Sequence, residues 1–246
     1  MNCVLQGFEW LFPLDEWETQ AINYTSGTTG RPKGVCYSHR GAALNGMNQA
    51  LVWGMPQHPT YLWTLPMFHC NGWTFPGTVT LMGGTHVCLR AVDAPSIFGA
   101  IERANVSHLC GAPIVMNMLV NAPPLLQRAL THRKDPTLPP VKMFTAGAPP
   151  PASVIAGMEQ LGVDVTHVYG LTETYGPVVL SPWKEELWGN KSASEKALLK
   201  ARQGVTYPLN ELCVLGDDGQ RVPQDGTTIG EIVLRGNIVM KGRFTS

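Results

Sequence analysis

From residue 24 the chain reads Tyr24, Thr25, Ser26, Gly27, Thr28, Thr29, Gly30, Arg31, Pro32, Lys33, Gly34, a run of hydroxyls and glycines closed by a lysine. These residue types suit phosphate. Glycines let the backbone approach a ligand closely, hydroxyls and amides donate to phosphate oxygens, and Lys33 adds a compact positive charge. A Walker A loop requires two glycines separated by four residues, then lysine and a serine or threonine that holds magnesium. Counted from Gly27, Pro32 stands where the second glycine belongs, and Gly34 follows Lys33 where a hydroxyl is needed. The spacing therefore disfavours a P-loop kinase or ATPase. A solvated turn rich in Gly, Thr and Ser is the other reading of the same letters.

Three further stretches carry chemistry. Val168, Tyr169, Gly170, Leu171, Thr172, Glu173 and Thr174 present a hydroxyl and a carboxylate one after the other behind a glycine turn. A threonine hydroxyl can bond to an α-phosphate oxygen, and a carboxylate suits magnesium, which takes a few hard oxygen ligands together with phosphate. The same letters also describe a helix cap with an acidic first turn. Thr145, Ala146, Gly147, Ala148 and Pro149 form a strand-to-helix turn, and Leu65, Pro66, Met67, Phe68 and His69 bring a lone histidine to the end of an apolar run. A lone histidine is more often structural than catalytic, so His69 depends on its neighbours.

The elements that must position these residues alternate. Residues 21, 22 and 24 suggest a strand running into the phosphate-type loop, and a helical pattern follows over 41–53. Strands are expected over 61–65, 85–89, 107–110, 141–145 and 163–169, the last ending on Gly170. Helices are expected over 95–104, with Pro95 near the first turn, and over 113–120, 124–133 and 152–161. Strands alternating with helices argue for an α/β fold, a mostly parallel sheet flanked by helices. Its strand ends are the usual place for ligand contacts. The character changes near Trp183. A polar helix over 192–202 precedes a β-like region, with strands over 211–215 and 230–234 and a turn at Asp217, Asp218 and Gly219, the start of a small β subdomain. The expected organisation is a main domain over 1–190, followed by the helix and β subdomain over 191–246.

Composition bounds the rest. In 246 residues, 44% hydrophobic and 15% charged, the chain can build a large core. Its 18 basic and 18 acidic side chains cancel, so no global field attracts nucleic acid or anionic lipid. No apolar run is long enough to span a bilayer and the N-terminus lacks signal-peptide order, which makes the cytoplasm the expected location, with peroxisome or another organelle left open. Six cysteines, Cys3, Cys36, Cys70, Cys88, Cys110 and Cys213, form no Cys-x-x-Cys pair. Buried free thiols are expected rather than zinc ligands.

The four stretches, taken in chain order from Thr25 to Glu173, resemble the motifs of adenylate-forming enzymes, the superfamily of acyl- and aryl-CoA ligases, luciferases and peptide-synthetase adenylation domains. The resemblance runs from about Asn23 to Gly242 and includes the final stretch from Gly230 to Gly236. Within the superfamily, Trp63 through Trp73 and the segment 176–183 look most like the branch that activates medium-chain fatty acids or small carboxylates with coenzyme A. What the resemblance implies is ATP-dependent conversion of a carboxylic acid to an acyl-adenylate and then to a CoA thioester, with ATP, Mg2+ and coenzyme A as cosubstrates. It assigns Thr25, Ser26, Gly27, Thr28, Thr29, Gly30 and Lys33 to the β- and γ-phosphates. Gly147, Ala148 and Pro149 fall to the adenine, with Tyr169 and Gly170 in the nucleotide-binding motif. Thr172 falls to the α-phosphate and Glu173 to the metal. His69 would border the carboxylate pocket and help gate the path of the thiol. Amino-acid adenylation domains carry an aspartate at its place to pair with the substrate ammonium, so an amino-acid substrate is disfavoured. Gly176, Pro177 and Val178 are candidates for the pocket lining.

The resemblance also implies parts beyond these residues. Relatives carry a longer N-terminal portion, a ribose-binding aspartate, a hinge and a C-terminal lid with a lysine that stabilises adenylate formation. Loss of one cation positioned on a transition state costs about 2.7 to 4 kcal/mol, and a lid excludes water from the intermediate. The expectation for these 246 residues alone is thus weak nucleotide binding and slow turnover. A catalytically inactive nucleotide-binding or interaction fragment is the alternative.

Overall fold

In the computed structural model of the protein, residues 9, 11–25, 31–131 and 137–244 are described. Ser26, Gly27, Thr28, Thr29 and Gly30, together with Cys3 and the end of the helix expected over 124–133, lie outside the described residues.

In chain order the strands are β1 (Thr19–Thr25), β2 (Lys33–Ser38), β3 (Thr60–Trp63), β4 (Thr85–Cys88), β5 (His108–Gly111), β6 (Val141–Thr145), β7 (Val163–Leu171), β8 (Gly176–Leu180), β9 (Val205–Thr206), β10 (Asn210–Leu215), β11 (Glu231–Gly236) and β12 (Gly242–Phe244). Among the described residues a seven-stranded sheet has the order β4-β3-β5-β6-β7-β8-β9. Its pairs from β4 to β7 are parallel, and β8 and β9 are added antiparallel at one side. The fold is therefore α/β with a mostly parallel sheet, as the alternation of elements predicts.

Side-chain alternation sorts the sheet's residues into two cores. Leu62, Leu109, Met143 and Val165 enter one apolar cluster with Ile97, Ile101, Met116, Ile155 and Met158. Their sequence neighbours Tyr61, Cys110 and Phe144, with Val168, enter the other, with Trp53, Phe75 and Val79. A period of two places successive strand residues on opposite faces, so each strand needs a helical cover on both sides. The helices Ala94–Ala104, Pro113–Val120 and Ala152–Gln160 cover the first face, and His39–Trp53 and Phe75–Leu81 cover the second. The caps follow the sequence signals. Asp93 accepts a hydrogen bond from the Ser96 amide at 2.8 Å, Pro95 sits in the first turn, and Asn105 closes the helix in the left-handed conformation.

The polar helix Ala193–Lys200 lies on helix Ala152–Gln160 and β7. Ala197 is buried in the first core, and Lys200 meets Glu159 and, at 3.3 Å, Asp164. β10 and β11 pair antiparallel as a separate two-stranded sheet. The turn after β10 is closed by hydrogen bonds from Gly219 N to Gly216 O and from Gly216 N to Gln220 O.

A third sheet, β1-β2-β12, flanks the phosphate-type loop. Thr25 pairs with Lys33 across it, so the residues at the two ends of the loop face each other in an antiparallel register. β12 adds to the other side of β2, with Arg243 opposite Val35.

Candidate active site

The carboxyl ends of β6 and β7 open onto a cleft of about 240 Å3 lined by His69, Cys70, Trp73, Ala146, Gly147, Gly170, Leu171, Thr172, Gly176 and Pro177. Three of the four sequence stretches thus meet at one place, where an open α/β sheet binds its ligands. Ala148 and Pro149 are exposed just beyond the lining, and Tyr169 turns away to pack with Val178, Val179 and Ile238. Val178 is buried in that cluster, so of the three residues expected along the pocket only Gly176 and Pro177 reach the cleft.

The turn after β7 separates structural from chemical hydroxyls. Residues Thr172–Thr174 form one 3-10 turn. Thr174 supports it, accepting from the Leu171 amide at 2.8 Å and donating to carbonyl oxygens at Gly176 or Leu171. The capping function that the sequence leaves open for this stretch falls to Thr174, and the Thr172 hydroxyl lies on the cleft. Its neighbour there is the Cys70 thiol, 3.8 Å away. Burial pushes that thiol's pKa up, its contact with Thr172 draws it down, and the charge of Glu173 raises it again. Cys70 is thus held as a neutral thiol rather than a nucleophile.

Glycine at 170 is required by the backbone. The register between β7 and β8 shifts at Tyr169 and Gly170, and a Cβ on Gly170 would sit 1.9 Å from the Gly176 carbonyl oxygen. The opposite wall is a left-handed turn. Cys70, Asn71, Gly72, Trp73 and Thr74 have φ of 42°, 43°, 58°, 49° and 69°. For the four that are not glycine this costs roughly 1–2 kcal/mol each. At Gly72 a Cβ would meet the Trp63 ring at 2.8 Å. The strain is held where the chain borders the cleft, as is common for ligand-facing segments. His69 precedes this turn with an exposed side chain, and Trp73, only 4% exposed, forms the inner wall.

The arm of β1 and β2 is anchored to the same turn. Tyr37 on β2 donates to the Thr172 carbonyl at 2.7 Å and stacks on Tyr175 at 3.8 Å between centroids. Burial pushes the Tyr175 hydroxyl up to about 12, so it remains a neutral donor to Gln20. The Asn45 amide donates to the Tyr175 carbonyl at 2.9 Å, and the Met240 amide to the Glu173 carbonyl at 2.8 Å. These bonds tie β2 and the segment before β12 to the turn that carries Thr172 and Glu173.

Glu173 points its carboxylate to Arg243 of β12, with Oε1 and Nη2 2.7 Å apart. Among the described residues no group of three His, Cys, Asp or Glu side chains could cage a metal. Magnesium commonly binds through one or two carboxylates plus substrate phosphates. A single, partly exposed carboxylate such as Glu173 fits that second arrangement. Sequence reasoning missed Cys70, Trp73, Tyr37 and Arg243. Cys70 and Trp73 follow His69 closely and could have been found from it; Tyr37 and Arg243 meet the turn only through long-range pairing.

The chain belongs to the family of AMP-binding enzymes, whose pattern matches residues 9–244. It is 47% identical over 237 residues to a 2-methylpropanoate–CoA ligase of Humulus lupulus, covering 96% of this chain and 41% of the relative. To a peroxisomal acetate/butyrate–CoA ligase of Arabidopsis thaliana it is 48% identical over 240 residues, covering 96% and 40%. The chain thus spans about two fifths of the length of these relatives. Among solved structures it resembles the N-terminal domain of FACL13 from Mycobacterium tuberculosis, with TM-score 0.72, 26% identity, and coverage of 92% of this chain and 52% of that one. It also resembles o-succinylbenzoate coenzyme A synthetase from Bacillus subtilis in complex with AMP, with TM-score 0.72, 25% identity, and coverage of 94% and 43%.

Proposed function

We propose that this chain carries the nucleotide- and carboxylate-binding residues of an acid–thiol ligase. In the reaction a carboxylate and ATP give an acyl-adenylate and pyrophosphate; coenzyme A then gives the acyl-CoA and AMP. The observation that carries the reading is the convergence of His69, Gly147, Gly170 and Thr172 on one cleft, in a chain of the AMP-binding family. Lys33 and the loop residues Ser26, Thr28 and Thr29 hold the β- and γ-phosphates. Thr172 donates to an α-phosphate oxygen, while the backbone at Gly147, where a Cβ would meet nothing within 4 Å, lies along the adenine. Mg2+, when bound, neutralises phosphate charge, and Glu173 supplies one of its oxygen ligands. His69 stands at the mouth of the acid's pocket, and Trp73 closes its inner end.

The substrate class we infer is a small carboxylic acid, in line with the acetate, butyrate and 2-methylpropanoate in the relatives' names. No helix among the described residues is long and apolar enough to cross a membrane. The proposed location is cytoplasm or peroxisome, the latter printed in the Arabidopsis relative's name, and imaging of a tagged chain decides between them.

The test is exchange of labelled pyrophosphate into ATP, dependent on acetate, butyrate or 2-methylpropanoate. Exchange that rises with one of these acids and is abolished by Glu173→Gln supports the ligase. ATP binding without exchange by any acid favours the inactive binding module instead. Exchange unchanged in Glu173→Gln removes the metal role from that residue.

A further inference from the structure

Arg243 is the cation nearest the proposed metal carboxylate, and the fold fixes its position through several independent ties. The segment that carries it is bonded by its main chain to the turn, Met240 N donating to Glu173 O at 2.8 Å, and to β2, Lys241 N donating to Cys36 O at 2.9 Å. β12 then pairs with β2, setting Gly242, Arg243 and Phe244 opposite Cys36, Val35 and Gly34, next to Lys33. The guanidinium, 41% exposed, reaches the Glu173 carboxylate, 25% exposed, at 2.7 Å. A carboxylate engaged by a guanidinium has fewer lone pairs and less net negative charge to offer a divalent cation. Tyr37 and Cys70, the other titratable groups that sense Glu173, ionise only to anions, so neither replaces Arg243 as its counter-ion.

We propose that Arg243 is a positioning residue that competes with the divalent cation for Glu173, holding the carboxylate beside β12 until metal and nucleotide arrive together. The proposal rests on the metal role given to Glu173 above. Arg243 touches neither substrate nor metal in this role; it sets how readily the carboxylate turns to the cation. Because β12 is also the edge partner of β2, exchange of Arg243 for metal links the state of the turn after β7 to the strand that leaves the phosphate loop. An exposed ion pair is a modest competitor, and its removal is expected to tighten metal binding roughly two- to fivefold.

The experiment is a titration of Mn2+, followed by electron paramagnetic resonance, into the full chain saturated with a nonhydrolysable ATP analogue. Metal-free binding of the analogue is measured alongside by calorimetry. The variants are Arg243→Gln, Arg243→Lys, Glu173→Gln, and Glu173→Gln combined with Arg243→Gln. The expected result is Mn2+ affinity two- to fivefold higher in Arg243→Gln, near the parent value in Arg243→Lys, and insensitive to Arg243→Gln once Glu173 is glutamine. Equal tightening in the Glu173→Gln background overturns the proposal, because it shows charge repulsion acting without the carboxylate. Loss of metal-free analogue binding in Arg243→Gln overturns it by making Arg243 a phosphate ligand. Equal Mn2+ affinity in parent and Arg243→Gln overturns the competition alone, whereas failure of every variant to bind the analogue overturns the nucleotide reading with it.

Discussion

The two regions that meet at the cleft are built in opposite ways. In the parallel sheet, β5 is buried at all four residues and β6 at four of five, with aromatic and aliphatic side chains filling both faces. In the β1-β2-β12 arm, β1 alternates between exposed and half-buried, and Ile22, Tyr24 and Phe244 remain largely open. The sheet is held by two large apolar clusters, and the arm by the small cluster of Val35, Tyr37 and Tyr175 together with a few hydrogen bonds to the turn after β7. Local stability follows such differences in buried contact. The cleft is therefore built on the more deeply buried region, while the less buried arm is tied to the turn that carries Thr172.

The contrast is broken most severely in the sheet. Trp53 stacks on Phe144 at 3.8 Å and meets His108 and Phe75 edge-on. Trp53→Ala is expected to cost about 3–5 kcal/mol in urea unfolding; a loss below 1 kcal/mol would mean that this face is not the main core.

Acid acts on His108, which packs against Trp53, and on His167 across the sheet. Burial, with Lys142 nearby, pushes the His108 imidazole down to about 4 from its ordinary 6.5, and burial lowers His167 as well. Between those values the unfolded chain binds a proton that folded His108 does not. Stability is therefore fully present above about pH 6.5 and declines as pH falls toward 4, by up to about 1.4 kcal/mol per unit. Urea midpoints at pH 7, 5.5 and 4.5 check this, and His108→Asn should flatten the decline. Equal slopes in the two proteins would remove His108 as its source.

The arm responds less. Tyr37→Phe removes one hydrogen bond to the Thr172 carbonyl and should cost about 1 kcal/mol globally. Its larger signature is local: hydrogen exchange should quicken over β1 and β2 while β6 and β7 keep their protection. Uniform quickening across both regions would contradict the contrast.

The same division decides what could be read from the letters. The parallel strands are short apolar runs bounded by turn residues, and Pro95 and Pro113 mark helix starts, so local pattern suffices. The hairpin of β10 and β11 is announced by its turn residues. β2 is less legible, since Lys33–Ser38 contains two charged or polar ends and a glycine, and gains its order from β1 and β12. β8 begins with Gly176 and Pro177, which read as a loop, yet it is buried throughout because β7 turns back onto it. Helix Phe75–Leu81 carries β-branched Thr78, Val79 and Thr80, poor helix formers held by packing. The left-handed turn at Cys70–Trp73 shows only Asn71 and Gly72 in the sequence, while Cys70 and Trp73 give no sign of it. Of the candidate site, Gly147, Gly170, Thr172 and His69 were legible as strand-end motifs. The pair of Glu173 with Arg243 was not, because 70 residues separate its members and only the return of β12 joins them.

The most direct measurement is calorimetric titration of the chain with a nonreactive acyl-adenylate mimic, set beside the Thr172→Val variant. The geometry predicts saturable binding by the parent chain, at least tenfold weaker in Thr172→Val at unchanged folding, since a buried phosphate oxygen would lose its donor. Equal binding by the two proteins, or none by a folded parent, would contradict the assignment of this cleft to the nucleotide.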